Sequence, residues 1–167
     1  TLPPGALGTL ASLPVVESIA LQRTLQISDT AGHLPLDVVV FDPRADLTVI
    51  PWLTERLGRP FGDGDVLVGG RRPEGVGERL RLQGVELVVR GRLGLTGAGP
   101  FERSLFIAPA TARRLAEAHV VLAEGEPFPE EPLGSPSGAL VRLVGGKGPE
   151  ELRFAAASTT GVKIVAG

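Results

Sequence analysis

From residue 79 to residue 89 apolar and polar positions alternate with the period of a β-strand. Arg79-Leu80-Arg81-Leu82 runs into Gln83-Gly84, after which Val85, Leu87 and Val89 return. Alternation sends successive side chains to opposite faces of a sheet, and a Gly-containing pair between two such runs predicts a hairpin. The returning strand is read as far as residue 95. Short apolar runs at 36–41, 66–68 and 105–107 predict buried strands, and Pro43 ends the first of them. Residues 15–27 read as a longer strand region.

Helical spacing is found elsewhere. In 4–13, Leu7, Leu10 and Ala11 share a face and Pro14 closes the segment; in 111–118, Leu115 points inward while Arg113, Arg114 and Glu117 point outward. Residues 51–57 read as a short helix, because Pro51 suits a first helical position and Gly58 a position just past the end. Residues 126–138 hold Pro127, Pro129, Pro132 and Pro136 and read as a mobile loop. A β-α-β unit closes the chain at 139–144, 150–157 and 162–165, with Glu150 and Glu151 where a helix N-terminus favours negative charge. The order predicts an α+β fold. The chain ends, 1–35 with 139–167, form an α/β lobe, and 36–125 form a β-rich inserted lobe, with 126–138 as a Pro-rich loop.

Composition narrows the function classes. With a net charge of −2 the chain lacks the concentrated basic face that nucleic acid requires, although Arg71, Arg72, Arg79 and Arg81 lie close together in sequence. There is no Cys, which removes disulfides, thiolate metal sites and a Cys nucleophile. There is no Met either, and the chain opens on Thr1 in a helix-like phrase, so a fragment of a longer protein is expected. No apolar run approaches the ~18 residues that a membrane helix needs.

Three phrases go beyond generic patterning. Val76-Gly77-Glu78-Arg79-Leu80-Arg81-Leu82-Gln83-Gly84-Val85, continuing to Leu93, resembles the central hairpin of MacB-like periplasmic core domains. Phe41-Asp42-Pro43-Arg44-Ala45-Asp46, then Pro51-Trp52-Leu53, then Asp65-Val66-Leu67-Val68-Gly69, is similar to a stretch of one subgroup of FtsX-like permeases. Thr96-Gly97-Ala98-Gly99-Pro100-Phe101-Glu102-Arg103-Ser104, leading into Thr111-Ala112-Arg113-Arg114-Leu115, resembles the same subgroup, as does the closing Gly161-Val162-Lys163-Ile164-Val165. Some members carry a Cys pair upstream of the Phe-Asp-Pro phrase. This chain has none there, so no thiol-dependent role carries over.

The resemblance implies an extracytoplasmic domain set between two transmembrane helices of an ABC-transporter permease, at the outer face of the cell membrane. It implies a cytoplasmic ATP-binding subunit and a second permease copy as partners, with a periplasmic or lipoprotein partner outside the membrane. It implies no cofactor and no catalysis within the domain. The residues singled out for interaction are Asp42, Trp52, Arg71, Arg72 and Arg103. Each also has a plainer reading: Asp42 as a turn residue before Pro43, Trp52 as packing, Arg71 and Arg72 as a solvated loop, and Arg103 as the ion-pair partner of Glu102, Asp63 or Asp65.

Two alternatives stay open, a module that binds a small ligand or a lipoprotein, and a hydrolase. The motifs for catalysis are incomplete. Asp29-Thr30-Ala31-Gly32 has no second copy to make a carboxylate dyad, and Gly145-Gly146-Lys147-Gly148-Pro149 lacks the hydroxyl residue and spacing of a phosphate loop. Gly97-Ala98-Gly99 lacks the third Gly of a dinucleotide fingerprint, and Ser28 and Ser104 stand in no nucleophile elbow beside His33 or His119. The acids Asp37, Asp42 and Asp46 with His33 match no calcium-loop spacing.

Overall fold

A computed structural model describes residues 1–3, 5–28, 35–95, 97, 99–159 and 161–164. The Asp29-Thr30-Ala31-Gly32 phrase, His33 and Val165 lie outside these described residues. In chain order the elements are α1 (Ala6–Ser12), β1 (Val16–Ile27), β2 (Leu36–Phe41), β3 (Asp65–Val68), β4 (Arg79–Leu82) and β5 (Val85–Arg92). A 3-10 turn (Phe101–Arg103), β6 (Leu105–Ile107), α2 (Pro109–Glu117), a second 3-10 turn (Pro132–Gly134), β7 (Gly138–Leu143) and α3 (Pro149–Ala155) follow.

The apolar runs are the middle of one sheet, and Val38–Phe41, Val66–Val68 and Leu105–Ile107 are apolar at successive positions because both of its faces are covered. The sheet has seven strands in the order β4-β5-β3-β6-β2-β1-β7, with parallel β2–β6 and β3–β5 pairs and antiparallel neighbours elsewhere. Successive residues enter different cores. Val38, Val40, Val66, Val68, Leu105 and Ile107 pack with Leu115 of α2 and with Phe128. Val39, Phe41, Leu67 and Phe106 pack on the opposite face against Val49, Trp52, Leu53, Phe61 and Phe101. A third cluster is built from the chain ends alone: Leu10, Leu152 and Ala156, with Val16, Ile19, Val141, Leu143, Val162 and Ile164 around them. Strand β1 pairs with β7 on one side and with β2, from Gln22↔Phe41 to Ile27↔Leu36, on the other, and its Leu25 and Ile27 enter the first of these cores.

Two predicted elements are absent. Residues 51–57 form turns and an isolated bridge, Leu53↔Leu93, in place of a helix. The Asp46 carboxylate accepts the backbone N–H groups of Thr48, Val49 and Ile50 at 3.2, 3.1 and 2.7 Å, which starts a single turn. The chain then leaves it to join the sheet, with Thr54 N–H donating to the Arg92 carbonyl and Gly94 N–H to that of Trp52. Residues 162–164 belong to no strand. The Pro-rich 126–138 segment is partly interior, since Phe128, Pro132 and Pro136 are buried while Glu130 and Glu131 stay exposed.

The hairpin turn has an unusual occupant. Gln83 and Gly84 both have positive φ, 43° and 92°, the conformation that a two-residue hairpin loop requires. Glycine is the ordinary choice for such a position. Gln83 is held by its side chain: Nε2 donates to the carbonyls of Val121 (2.7 Å) and Ser28 (3.1 Å), and Oε1 accepts the Val121 N–H (2.9 Å). Gln83→Gly relieves the left-handed backbone but removes all three bonds, so a net loss of about 1–2 kcal/mol is expected in urea unfolding. A stabilised Gly variant would show that the turn conformation alone sets the residue.

Candidate functional site

Strand β3 is followed by Gly69-Gly70-Arg71-Arg72, and these residues continue the antiparallel pairing of β3 with β6 into the 3-10 turn. Gly69 N–H donates to the Ser104 carbonyl (3.0 Å) and Arg71 N–H to that of Glu102 (2.8 Å). The Arg72 guanidinium reaches the Arg103 carbonyl at 3.3 Å. Trp52 closes the site from the other side, its ring centroid 6.3 Å from that of Phe101. Four of the five nominated residues, Trp52, Arg71, Arg72 and Arg103, thus meet around residues 101–104. Asp42 is outside this network and acts as a turn residue, its carboxylate accepting the Arg44 N–H at 2.9 Å.

The charges here are ordered. Glu102 is 4% exposed, and its Oε1 accepts the Gly97 N–H at 3.1 Å. Its Oε2 lies against the Arg71 guanidinium out of line for a hydrogen bond, so that contact is one of charge. Arg72 clasps Glu74 through Nε (2.9 Å) and Nη2. Arg92, which sequence reading passed over, directs its guanidinium at the carbonyls of Gly70 (3.2 Å), Arg72 (2.8 Å) and Glu74. Nothing in the local pattern marks Arg92, since its partners lie some twenty residues upstream. The expected ion pair of Arg103 is not formed among the described residues. Glu102 is taken by Arg71, Asp65 by Arg59 and Asp63 by Arg114, and Arg103 lies exposed on the turn.

The product is a ridge tied down by these hydrogen bonds and ion pairs. Arg72 and Arg92 are used internally, whereas Arg71 (62% exposed) and Arg103 face solvent. A Cβ on Gly70 would lie 3.0 Å from the Gly94 carbonyl oxygen, which places exposed Leu95 beside the Arg71 turn. Cationic side chains and an apolar one on a pre-organised loop suit recognition of a protein surface.

Burial would raise the pKa of Glu74. The hydrogen bond from Arg72, a backbone N–H and the charges of Arg72 and Arg92 outweigh it and hold the carboxyl below its ordinary value. A depressed folded-state pKa gives stability that is present above the unfolded value, about 4.3, and is lost as pH falls through the folded one. The stability difference between the native chain and Glu74→Gln is therefore expected to be largest near neutral pH and to shrink below about pH 4. Thermal unfolding of both proteins across that range checks it, and a constant gap would contradict it. Glu151 is also lowered, by the Gly148 N–H that it accepts at 2.8 Å as it caps α3.

A groove of about 790 Å³ follows β7. Leu2, Leu10, Leu152, Val162 and Ile164 line it together with the whole of β7, and Thr48, Ser137, Arg142 and Lys163 are among its polar residues. Among the described residues no group of three or more His, Asp or Glu gathers to hold a metal, and no helix is long and apolar enough to cross a membrane.

No family model matches this sequence, and no curated protein matches it. The structure does have a match among solved structures. The crystal structure of the extracellular domain of the noncanonic ABC-type transporter YknZ from Gram-positive bacteria superposes with a TM-score of 0.50 at 11% identity, over 96% of this chain and 85% of that one. At that identity the likeness is one of fold: this chain has the mixed α+β fold of an ABC-transporter extracellular domain.

Proposed function

We propose that this chain is the extracytoplasmic domain of a bacterial ABC-transporter permease of the FtsX-like and MacB-like kind, and that it works as a coupling and docking element without chemistry of its own. The observation that carries the reading is the fold shared with a transporter extracellular domain along 96% of the chain. The arrangement of the chain ends favours it as well. A Cβ on Gly161 would lie 2.9 Å from Pro3 Cγ, and Thr1, Leu2 and residues 161–164 border the same groove. A domain carried between two neighbouring membrane helices needs its entry and exit side by side.

In this reading a separate cytoplasmic subunit hydrolyses ATP and two permease copies associate. The part formed by 1–35 and 139–167 lies nearer the membrane, and the 36–125 part projects outward. The domain's contribution is differential contact between two states of the assembly, the only way a passive element can shift an equilibrium. The Arg71–Arg103 ridge and the acidic surface of the 126–138 segment are the surfaces for a partner outside the membrane.

The absence of Cys makes the test clean, because a single introduced Cys is unique in this domain. Val76→Cys, at a position 57% exposed and in neither of the two partner surfaces, is expected to react in intact cells with a membrane-impermeant maleimide. Spin labels on the two copies are expected to change separation between nucleotide-free and ATP-bound transporter. Protection from the reagent in intact cells, or one unchanging separation, would refute the proposal.

A further inference from the structure

Strand β7 is a border of the sheet, and among the described residues no strand pairs with its outer edge. Residues 161–164 lie along the groove that follows that edge, and they alternate as a strand does. Gly161 and Lys163 are exposed, while Val162 and Ile164 are half-buried in the cluster that also holds Val141 and Leu143 of β7. The order β7, α3, then 162–164 is that of a crossover unit, whose second strand lies parallel to the first. Val-Lys-Ile also has strand-favouring composition. Yet among the described residues no backbone hydrogen bond joins 162–164 to β7. The side chains of a strand are in place and its ladder is not.

We infer that residues 162–164 form a detachable eighth strand, whose pairing with β7 is one of two states of the domain. The apolar cluster can hold Val162 and Ile164 in either state, so the two differ mainly in a few ladder hydrogen bonds, each of modest net strength. Gly161, at φ +78°, supplies the backbone freedom for the swing. The inference rests on the permease reading. There, this stretch is the one through which motion of the membrane helix that follows reaches the sheet, and zipping or unzipping it converts that motion into a change of domain position.

The test is hydrogen–deuterium exchange on the full-length permease with its ATP-binding subunit in a bilayer, without nucleotide and with a non-hydrolysable ATP analogue. Amides in 139–143 and 162–164 are expected to exchange about tenfold more slowly in one state than in the other, together. Equal protection in both states, which means a permanent strand, or equally fast exchange in both overturns the inference. Alternate N–H groups of a strand face opposite sides, so one of Lys163→Pro and Ile164→Pro removes a ladder donor. That variant is expected to abolish the difference while exchange in the 79–92 hairpin, which reports an intact fold, stays native; persistence of the difference in both variants overturns the inference too. Spin-label separation in the same samples distinguishes the two readings. Domain motion with no exchange difference defeats the detachable strand alone, and no motion at all defeats the permease reading with it.

Discussion

Gly69→Ala is expected to lower the unfolding free energy by about 3–5 kcal/mol, which for a chain of this length is a fall of about 10 °C in Tm. The reason is space, and the atoms in the way are backbone. A Cβ at residue 69 would lie 2.3 Å from the Phe101 carbonyl oxygen and 2.5 Å from the carbonyl carbon and oxygen of Glu102. No flexible side-chain end is there to give way, so the 3-10 turn must move off β3. Moving it breaks the bonds from Gly69 N–H to Ser104 (3.0 Å) and from Arg71 N–H to Glu102 (2.8 Å). It also draws Arg71 away from a carboxylate that is 4% exposed. Gly58→Ala is the control, since nothing lies within 4 Å of a Cβ there. It is expected to be neutral or slightly stabilising, through a less mobile unfolded chain. Urea unfolding midpoints at constant slope compare the two. A native-like midpoint for Gly69→Ala would mean that the turn does not sit against β3, and the ridge carrying Arg71 and Arg103 would lose its foundation.

The elements most legible in the sequence are those whose signal is local. Strands 36–41 and 105–107 come out with the bounds read from their apolar runs, and the 79–92 hairpin is announced by alternation around Gln83-Gly84. Where the reading failed, distant residues decided. Pro51 and Gly58 are good helix punctuation, but the bridge from Leu53 to Leu93, forty residues on, offers the backbone a better set of partners. Local propensity is a weak prior against such tertiary pairing. The Pro-rich segment read as a loop because its prolines are visible. That Phe128 belongs to the main core follows only from the pairing of its N–H with the Val120 carbonyl at 2.8 Å.

The candidate site divides in the same way. Trp52 and Arg103 stand in the phrases singled out, and Arg71 and Arg72 in a run of neighbouring arginines; in the fold all four lie around residues 101–104. Their ion pairing was not readable. Proximity in sequence suggested Glu102 for Arg103, whereas the 3-10 turn swings Glu102 inward to Arg71, thirty-one residues earlier in the chain. Arg92 was invisible because it binds carbonyls, and carbonyls carry no sequence signature.

Arg59→Ala is expected to destabilise the fold more than Asp65→Asn does, although Arg59 is the more exposed partner. The Asp65 side chain is 2% exposed and that of Arg59 is 52% exposed. Arg59 grips both carboxylate oxygens, at 2.8 and 2.7 Å, while Gly62 N–H donates at 3.0 Å and Arg90 stands 3.8 Å away. Removing Arg59 leaves a charge shut away from water with one backbone donor and one distant cation. Breaking a buried pair from one side costs several kcal/mol; the exposure of Arg59 to solvent and the help of Arg90 reduce this to about 2–4 kcal/mol. Asp65→Asn removes the charge but keeps an acceptor for Gly62, and about 1–2 kcal/mol is expected. The decisive measurement is the double variant. With Asn at 65 no buried charge remains to strand, so losing Arg59 should then cost under about 1 kcal/mol, a clear coupling in the cycle. The 59–65 turn also receives the Thr111 hydroxyl on the Gly62 (3.0 Å) and Asp65 (3.3 Å) carbonyls, so its loosening should release α2 from the sheet. Equal losses from Arg59→Ala in both backgrounds would show that Asp65 is held by its neighbours without Arg59, and that the turn owes its shape to the backbone alone.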